Sequence, residues 1–176
     1  MNKSTLDAEK QHLADLLEAI QRCVYFLDAS SRKLKWPLAS GWLETEKKSV
    51  ELFEILAAVN ERFAKLQDTL AAAMRHACLL SGEPADRFLK VLSFYEKVGV
   101  IESIETWQLC RTVRNLAAHD YEIDYAEITE HFNALRSFTP ELYKVAGRFL
   151  EYCRESLKIE PKLNDFSAEF DSIFNM

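Results

Sequence analysis

Near residue 117 the chain reads Arg114-Asn115-Leu116-Ala117-Ala118-His119-Asp120-Tyr121, which gathers an arginine, an asparagine, a histidine and a tyrosine at the end of a predicted helix. A guanidinium is a permanent, fork-shaped cation matched to phosphate. An imidazole is the side chain best suited to moving protons near neutral pH. Together they supply what metal-free cleavage of RNA requires: a clamp on the scissile phosphate and a group that takes and returns a proton.

The helix that carries these residues constrains how they can cooperate. On a wheel of ~100° per residue, Trp107, Cys110, Val113, Leu116 and Ala117 form an apolar arc, and Arg114 falls inside its edge. A guanidinium there is costly unless it is paired or faces a cleft. Asn115 and His119 are four apart and share a different face. On a straight helix Arg114 and His119 diverge by ~140°. Joint action needs a break close to His119, which the polar run Asp120 to Asp124 permits, or a second copy of the chain across an interface. An isolated Arg-x4-His also describes a surface pair or a buried, hydrogen-bonded histidine. Asn115 beside Arg114, Tyr121 two beyond His119, and the helix-end setting shift the reading toward chemistry.

The surrounding elements are read from apolar periodicity. Leu13, Leu16, Leu17, Ile20, Val24 and Leu27 predict a helix over about 6–29, followed by a connection over 30–41 with Trp36 and Trp42 pinning it to the core. Leu52, Leu56, Val59, Phe63, Leu66, Leu70, Met74 and Ala77 form a bundle seam over about 43–80, in one helix or in two joined near Asn60. Ser81-Gly82-Glu83-Pro84 ends it. A short helix over about 85–98 closes at Gly99, and Ser103 caps the next, over about 104–118. Asp124 with Glu127 resembles a capping box. Thr139-Pro140-Glu141 reads as a fresh helix start with proline at its first position. The last helix runs to about Leu157, and Phe166, Phe170, Ile173 and Phe174 suggest a tail that docks. With no alternating strand pattern, the expected fold is an all-α, up-and-down helical bundle.

Bulk properties narrow the class. The 176 residues suit one domain. The net charge of −6 argues against a basic nucleic-acid coat, so any RNA contact must be a local cationic cleft on an acidic body. Cys23, Cys78, Cys110 and Cys153 are far apart in apolar contexts and read as reduced core residues, with no zinc spacing. No metal or cofactor is expected. Glu127 with His131 lacks the further ligands of a carboxylate site, and Arg75-His76, Arg87 and Lys90 read as surface charge that could rim a cleft. No signal layout or apolar stretch of ~18 residues is seen. The expected location is cytoplasmic, with no membrane partner.

The motif Arg114-Asn115-(x3)-His119-x-Tyr121 resembles the signature of the HEPN family (higher eukaryotes and prokaryotes nucleotide-binding domain). It is most similar to the toxin branch paired with minimal nucleotidyltransferases. The likeness extends from about Val59 to Leu150, through Phe63, Gly82-Glu83, Phe88, Phe94, Trp107 and Arg111. It implies a four-helix HEPN-like core over 59–160, an N-terminal helical extension over 1–58 packed on it, and a tail over 161–176. It further implies a homodimer with two Arg/His sets in one cleft and metal-independent cleavage of RNA. In that scheme His119 is general acid or base, Arg114 holds the phosphate, and Asn115 orients the phosphate or the imidazole. Tyr121 is a target for AMP transfer by a nucleotidyltransferase antitoxin. The alternative is a non-catalytic helical module that docks or presents substrate to a nucleotidyltransferase.

Overall fold

Two long amphipathic segments carry the fold, and the reason is the 4-3-4-3 recurrence of large apolar residues on one face of each. The computed structural model describes residues 3–117 and 124–175. Within them lie helices α1 (Lys3–Ser31), α2 (Trp42–Thr45), α3 (Val50–Ser81), α4 (Phe88–Lys97), α5 (Ile104–Ala117), α6 (Tyr125–Tyr152) and α7 (Ser167–Phe174). All regular structure among the described residues is helical, so the all-α class is as expected. No helix among them is long and apolar enough to cross a membrane.

Helices α1 and α3 make the most extensive pairing in the protein. Leu13, Leu17, Ile20, Val24 and Leu27 of α1 meet Val59, Phe63, Leu66, Leu70 and Ala77 of α3 in one core, each no more than 1% exposed. Burying each larger side chain contributes roughly 1.5–3 kcal/mol of transfer free energy. The two helices run antiparallel: His76 Nε2, near the end of α3, donates to the Glu9 carbonyl at 2.9 Å, while Arg62, nearer its start, donates to the Phe26 carbonyl at 3.1 Å and to Ser30 Oγ. A second, smaller core of Leu38, Leu43, Leu52, Leu56, Ile128 and Phe132 closes the end where α2, α3 and α6 begin. Asn133 fastens the connecting loop there, accepting from Leu38 N at 2.7 Å and donating to Leu38 O at 3.1 Å. Trp36 bridges both cores and donates to the Ser31 carbonyl at 2.8 Å, the pinning role the sequence suggested.

Helix ends follow the cap chemistry of the sequence. Ser49 Oγ accepts from Leu52 N at 3.3 Å, Ser103 Oγ from Thr106 N at 3.0 Å, and Asp124 Oδ1 from Glu127 N at 2.9 Å. Gly82 ends α3 at φ 74°, which lets Glu83 N reach the Cys78 carbonyl at 2.9 Å.

One expectation needs correction. Thr139-Pro140 does not start a helix: α6 runs through Pro140 without a break. The proline ring is exposed, Thr139 Oγ1 donates to the Leu135 carbonyl at 3.0 Å, and Leu135, Leu142, Val145, Ala146 and Phe149 are buried on both sides of the lost bond. That burial offsets the ~3 kcal/mol that an interior proline costs. Helix α3 runs through the 58/59 position in mid-helix, and α1 buries one face against it while residues such as Lys10, Gln11, Arg22 and Ala29 stay exposed.

The C-terminal tail docks. Phe170 is 2% exposed, Lys162 N donates to the Ala14 carbonyl at 3.2 Å, and Ser167 Oγ donates to Gln21 Oε1 at 3.3 Å. The ring of Phe174 occupies the space where a Cβ on Gly147 of α6 would stand. Gly147→Ala should therefore destabilise the protein by about 1–3 kcal/mol through overpacking, although alanine is the better helix former by about 1 kcal/mol. In a Phe174→Ala background the same change should become neutral or favourable, and urea denaturation of the four proteins checks both signs.

All four cysteines are free, with Cys23 half-buried and the others buried. Burial, reinforced by the Glu141 carboxylate, pushes the Cys110 thiol up to about 12. Burial shifts Cys23, Cys78 and Cys153 in the same direction. A raised pKa leaves less thiolate at a given pH, and thiolate is the reactive form. The native protein should thus react with iodoacetamide at mildly alkaline pH far more slowly than the denatured chain, measured by mass spectrometry.

Candidate functional site

Position 114 was placed by the helical wheel at the edge of an apolar arc, and the structure shows how that guanidinium is accommodated. Trp107, Cys110 and Val113 turn inward on α5 at 5%, 1% and 8% exposure. Arg114 follows Val113 and is drawn partly under α3, its side chain 17% exposed. Its Nη1 donates to the Ala64 carbonyl at 3.1 Å and to Asp68 Oδ1 at 2.6 Å. Both bonds use one edge of the guanidinium. The other edge, Nη2 and Nε, has no hydrogen-bond partner among the described residues.

Arg114 lines a surface groove of about 490 Å³ between α3, α4 and α5. Arg75 and Arg111 line it as well, both exposed and without an ion pair among the described residues. Asp68 is the one carboxylate in the lining, so three guanidiniums face one negative charge on a chain whose net charge is −6. Phe88, half-buried, supplies aromatic surface and packs on the buried Trp107, their ring centroids 6.2 Å apart at 52°. Ala71 and Ala72 keep the α3 side of the groove shallow. Gln67, 2% exposed, donates from Nε2 to the Trp107 carbonyl at 3.0 Å, which orients its amide and leaves Oε1 a buried acceptor with no partner among the described residues.

This is chemistry for binding an anion that carries a flat base. Guanidiniums hold phosphate oxygens by charge-assisted, often bidentate bonds. Aromatic faces give nucleobases a stacking surface. The Asp68 carboxylate is 63% exposed, so its pull on Arg114 is screened and a phosphate can compete with it.

Of the residues singled out in the sequence, the structure joins Arg114 with Arg75 and Arg111 in the groove. Asn115, exposed in the last turn of α5, is not part of its lining. His119 and Tyr121 lie outside the described residues. His131 stays apart on α6, with Nδ1 buried and unpaired. Among the described residues no three His, Cys, Asp or Glu side chains gather to hold a metal ion. Asp68 and Gln67 were not anticipated. The available signal was the spacing of Ala64, Asp68, Ala71 and Arg75 at i, i+4, i+7 and i+11, which puts them on one face of α3. That spacing does not say which helix the face meets.

Compared with known proteins, the chain matches no protein-family model, no curated protein and no solved structure.

If Arg114–Asp68 is a screened, replaceable pair, Asp68→Ala should lower stability by no more than about 1 kcal/mol. Trp107→Ala, which empties a core position beside Phe88, should cost about 3–5 kcal/mol. Chemical denaturation of both variants measures the contrast.

Proposed function

We propose that this protein is a HEPN-type, metal-independent endoribonuclease toxin, acting as a homodimer in the cytoplasm and neutralised by a minimal nucleotidyltransferase antitoxin. The observation that carries the reading is the groove at Arg114: a guanidinium anchored by one edge, flanked by Arg75 and Arg111 and by aromatic rings, on an otherwise acidic chain. RNA is the polyanion that combines phosphates with stackable bases.

In this scheme Arg114 holds the non-bridging oxygens of the scissile phosphate and stabilises the charge that builds on them. One His119 takes the proton of the 2′-hydroxyl as that oxygen bonds to phosphorus. A second returns a proton to the departing 5′-oxygen as the P–O5′ bond breaks, which leaves a 2′,3′-cyclic phosphate. Asn115 orients the phosphate or the imidazole. Because Arg114 and His119 diverge on a straight helix, two copies of the chain sharing one cleft supply the set. Leu109 and Leu116, each 45% exposed and seven residues apart on the outer face of α5, offer apolar surface for that pairing. AMP placed on Tyr121 by the antitoxin would add bulk and negative charge and repel RNA. Four unpaired thiols suit a reducing compartment.

One observation favours the second reading. Nη1 of Arg114 is already satisfied by Ala64 and Asp68. A strut of that kind between α3 and α5 serves a non-catalytic module that docks a nucleotidyltransferase equally well.

Incubation of purified protein with RNA in EDTA separates the two. Wild type should cleave, and Arg114→Ala and His119→Ala should each lose about 10²–10⁴-fold in rate. Asp68→Asn, which releases Arg114, should keep or raise the rate. Arg75→Ala and Arg111→Ala should weaken RNA binding and each flatten its salt dependence by about one unit of slope. Cleavage that is equal in wild type and both Arg114 and His119 variants would remove this site as the catalyst.

A further inference from the structure

A second pocket lies well apart from the Arg114 groove and shares no residue with it. It is bounded by the end of α1, the loop through Trp36, the middle of α6 and the end of α7, and encloses about 470 Å³. That volume is ordinary for small-molecule sites, which run about 300–1,000 Å³.

Two features set it apart from a packing fault. Ser31 and Tyr143 both line the pocket, are 3% and 9% exposed, and have hydroxyl oxygens that are buried with no hydrogen-bond partner among the described residues. A buried hydroxyl without a partner is unfavourable, and native proteins keep few of them. In addition, one cation beside them has no ion pair among the described residues. Arg136 lines the pocket without one, whereas Arg32 is bonded to Asp28 at 2.6 Å and Lys144 lies 4.0 Å from Glu141. Burial raises the pKa of the Tyr143 hydroxyl, Asp28 adds to that shift, and Arg136 and Arg32 oppose it. Opposite them the walls are apolar: Trp36, Leu34, Ile173 and the ring of Phe174.

We propose that this pocket binds a small organic acid, with a carboxylate or phosphate ester set between Arg136 and the Tyr143 and Ser31 hydroxyls and a flat apolar body against Trp36 and Phe174. The acid head supplies the acceptor that both hydroxyls lack and neutralises Arg136. The apolar body covers the indole and the end of α7, so a bound ligand braces the C-terminal helix against α1 and α6. A simple inorganic anion would satisfy only the polar half, and a neutral aromatic only the other. The inference does not depend on the ribonuclease reading.

The test titrates the full chain with phenyl phosphate and with benzoate, and with inorganic phosphate and phenol as the separate halves. The readouts are the Trp36 indole N–H resonance, assigned by its loss in Trp36→Phe, and the thermal midpoint. At least one of the two acids should move the Trp36 resonance and raise the midpoint, and which one does so identifies the head group. Inorganic phosphate and phenol should each bind at least about tenfold more weakly. Arg136→Ala should weaken binding by about tenfold or more. Tyr143→Phe should weaken binding while leaving the empty protein as stable as wild type or more so, because the hydroxyl it removes has no partner. The proposal is overturned if neither acid perturbs Trp36, if inorganic phosphate binds as tightly as phenyl phosphate, or if Arg136→Ala and Tyr143→Phe bind like wild type.

Discussion

The structure depends on α3 being enclosed. It packs against α1, α4, α5 and α6, and its residues Phe63, Leu66, Leu70, Ala73, Met74 and Ala77 have no exposed surface. A helix surrounded in this way keeps one narrow stripe for solvent. On α3 that stripe is Glu61, Lys65, Asp68, Ala72, Arg75 and Leu79, again at spacings of 4 and 3. Everything polar on α3 must be resolved along that stripe or at its edges. Asp68 does so by meeting Arg114, Gln67 by reaching the Trp107 carbonyl, and Arg62 by capping the end of α1. The groove of the candidate site is the place where this stripe and α5 diverge.

Arg114 shows how a structural and a chemical demand can share one side chain. Half-sunk beside Trp107 and Val113, the guanidinium needs partners, and Ala64 O and Asp68 provide them. The partner it has is exposed, and a surface ion pair adds little to stability. The arrangement therefore fixes where the cation sits without committing it. A buried carboxylate at position 68 would have held Arg114 more firmly and made it useless toward phosphate. The same logic applies to the arginines nearby, which have solvent rather than carboxylates for company.

Polar groups that the fold leaves unsatisfied are also informative in their placement. Ser31, Gln67 and Tyr143 each have a buried oxygen with no partner among the described residues and line one of the two pockets, while Asn60, His131 and Glu141 carry such atoms outside them. Interior packing along the α1–α3 seam is mainly apolar, with Gln21, Gln67 and Thr69 as buried polar exceptions. The seam supplies most of the dry interior, and the pocket rims hold part of the open polar capacity. Tail docking belongs to the second category: α7 is attached by Phe170, by Phe174 over Gly147, and by contacts from Lys162 and Ser167 to α1, and it forms one wall of the second pocket.

Much of this was legible in the residues alone. Apolar recurrence at 3 and 4 placed α1, α3 and α5, Gly82 and Ser103 marked the end of α3 and the start of α5, and Asp124 marked the start of α6, because helix periodicity and capping are local properties of a short stretch of chain. The sequence also required that Arg114 be paired or face a cleft, since a cation on an apolar arc is otherwise costly. It could not name Asp68 or Gln67, could not see which face of α3 meets α5, and misjudged Pro140 as a start. Each of these turns on the rotation and register of one helix against another, or on burial on both sides of a lost bond. Such quantities are sums over contacts between residues dozens of positions apart, and only the assembled tertiary structure settles them.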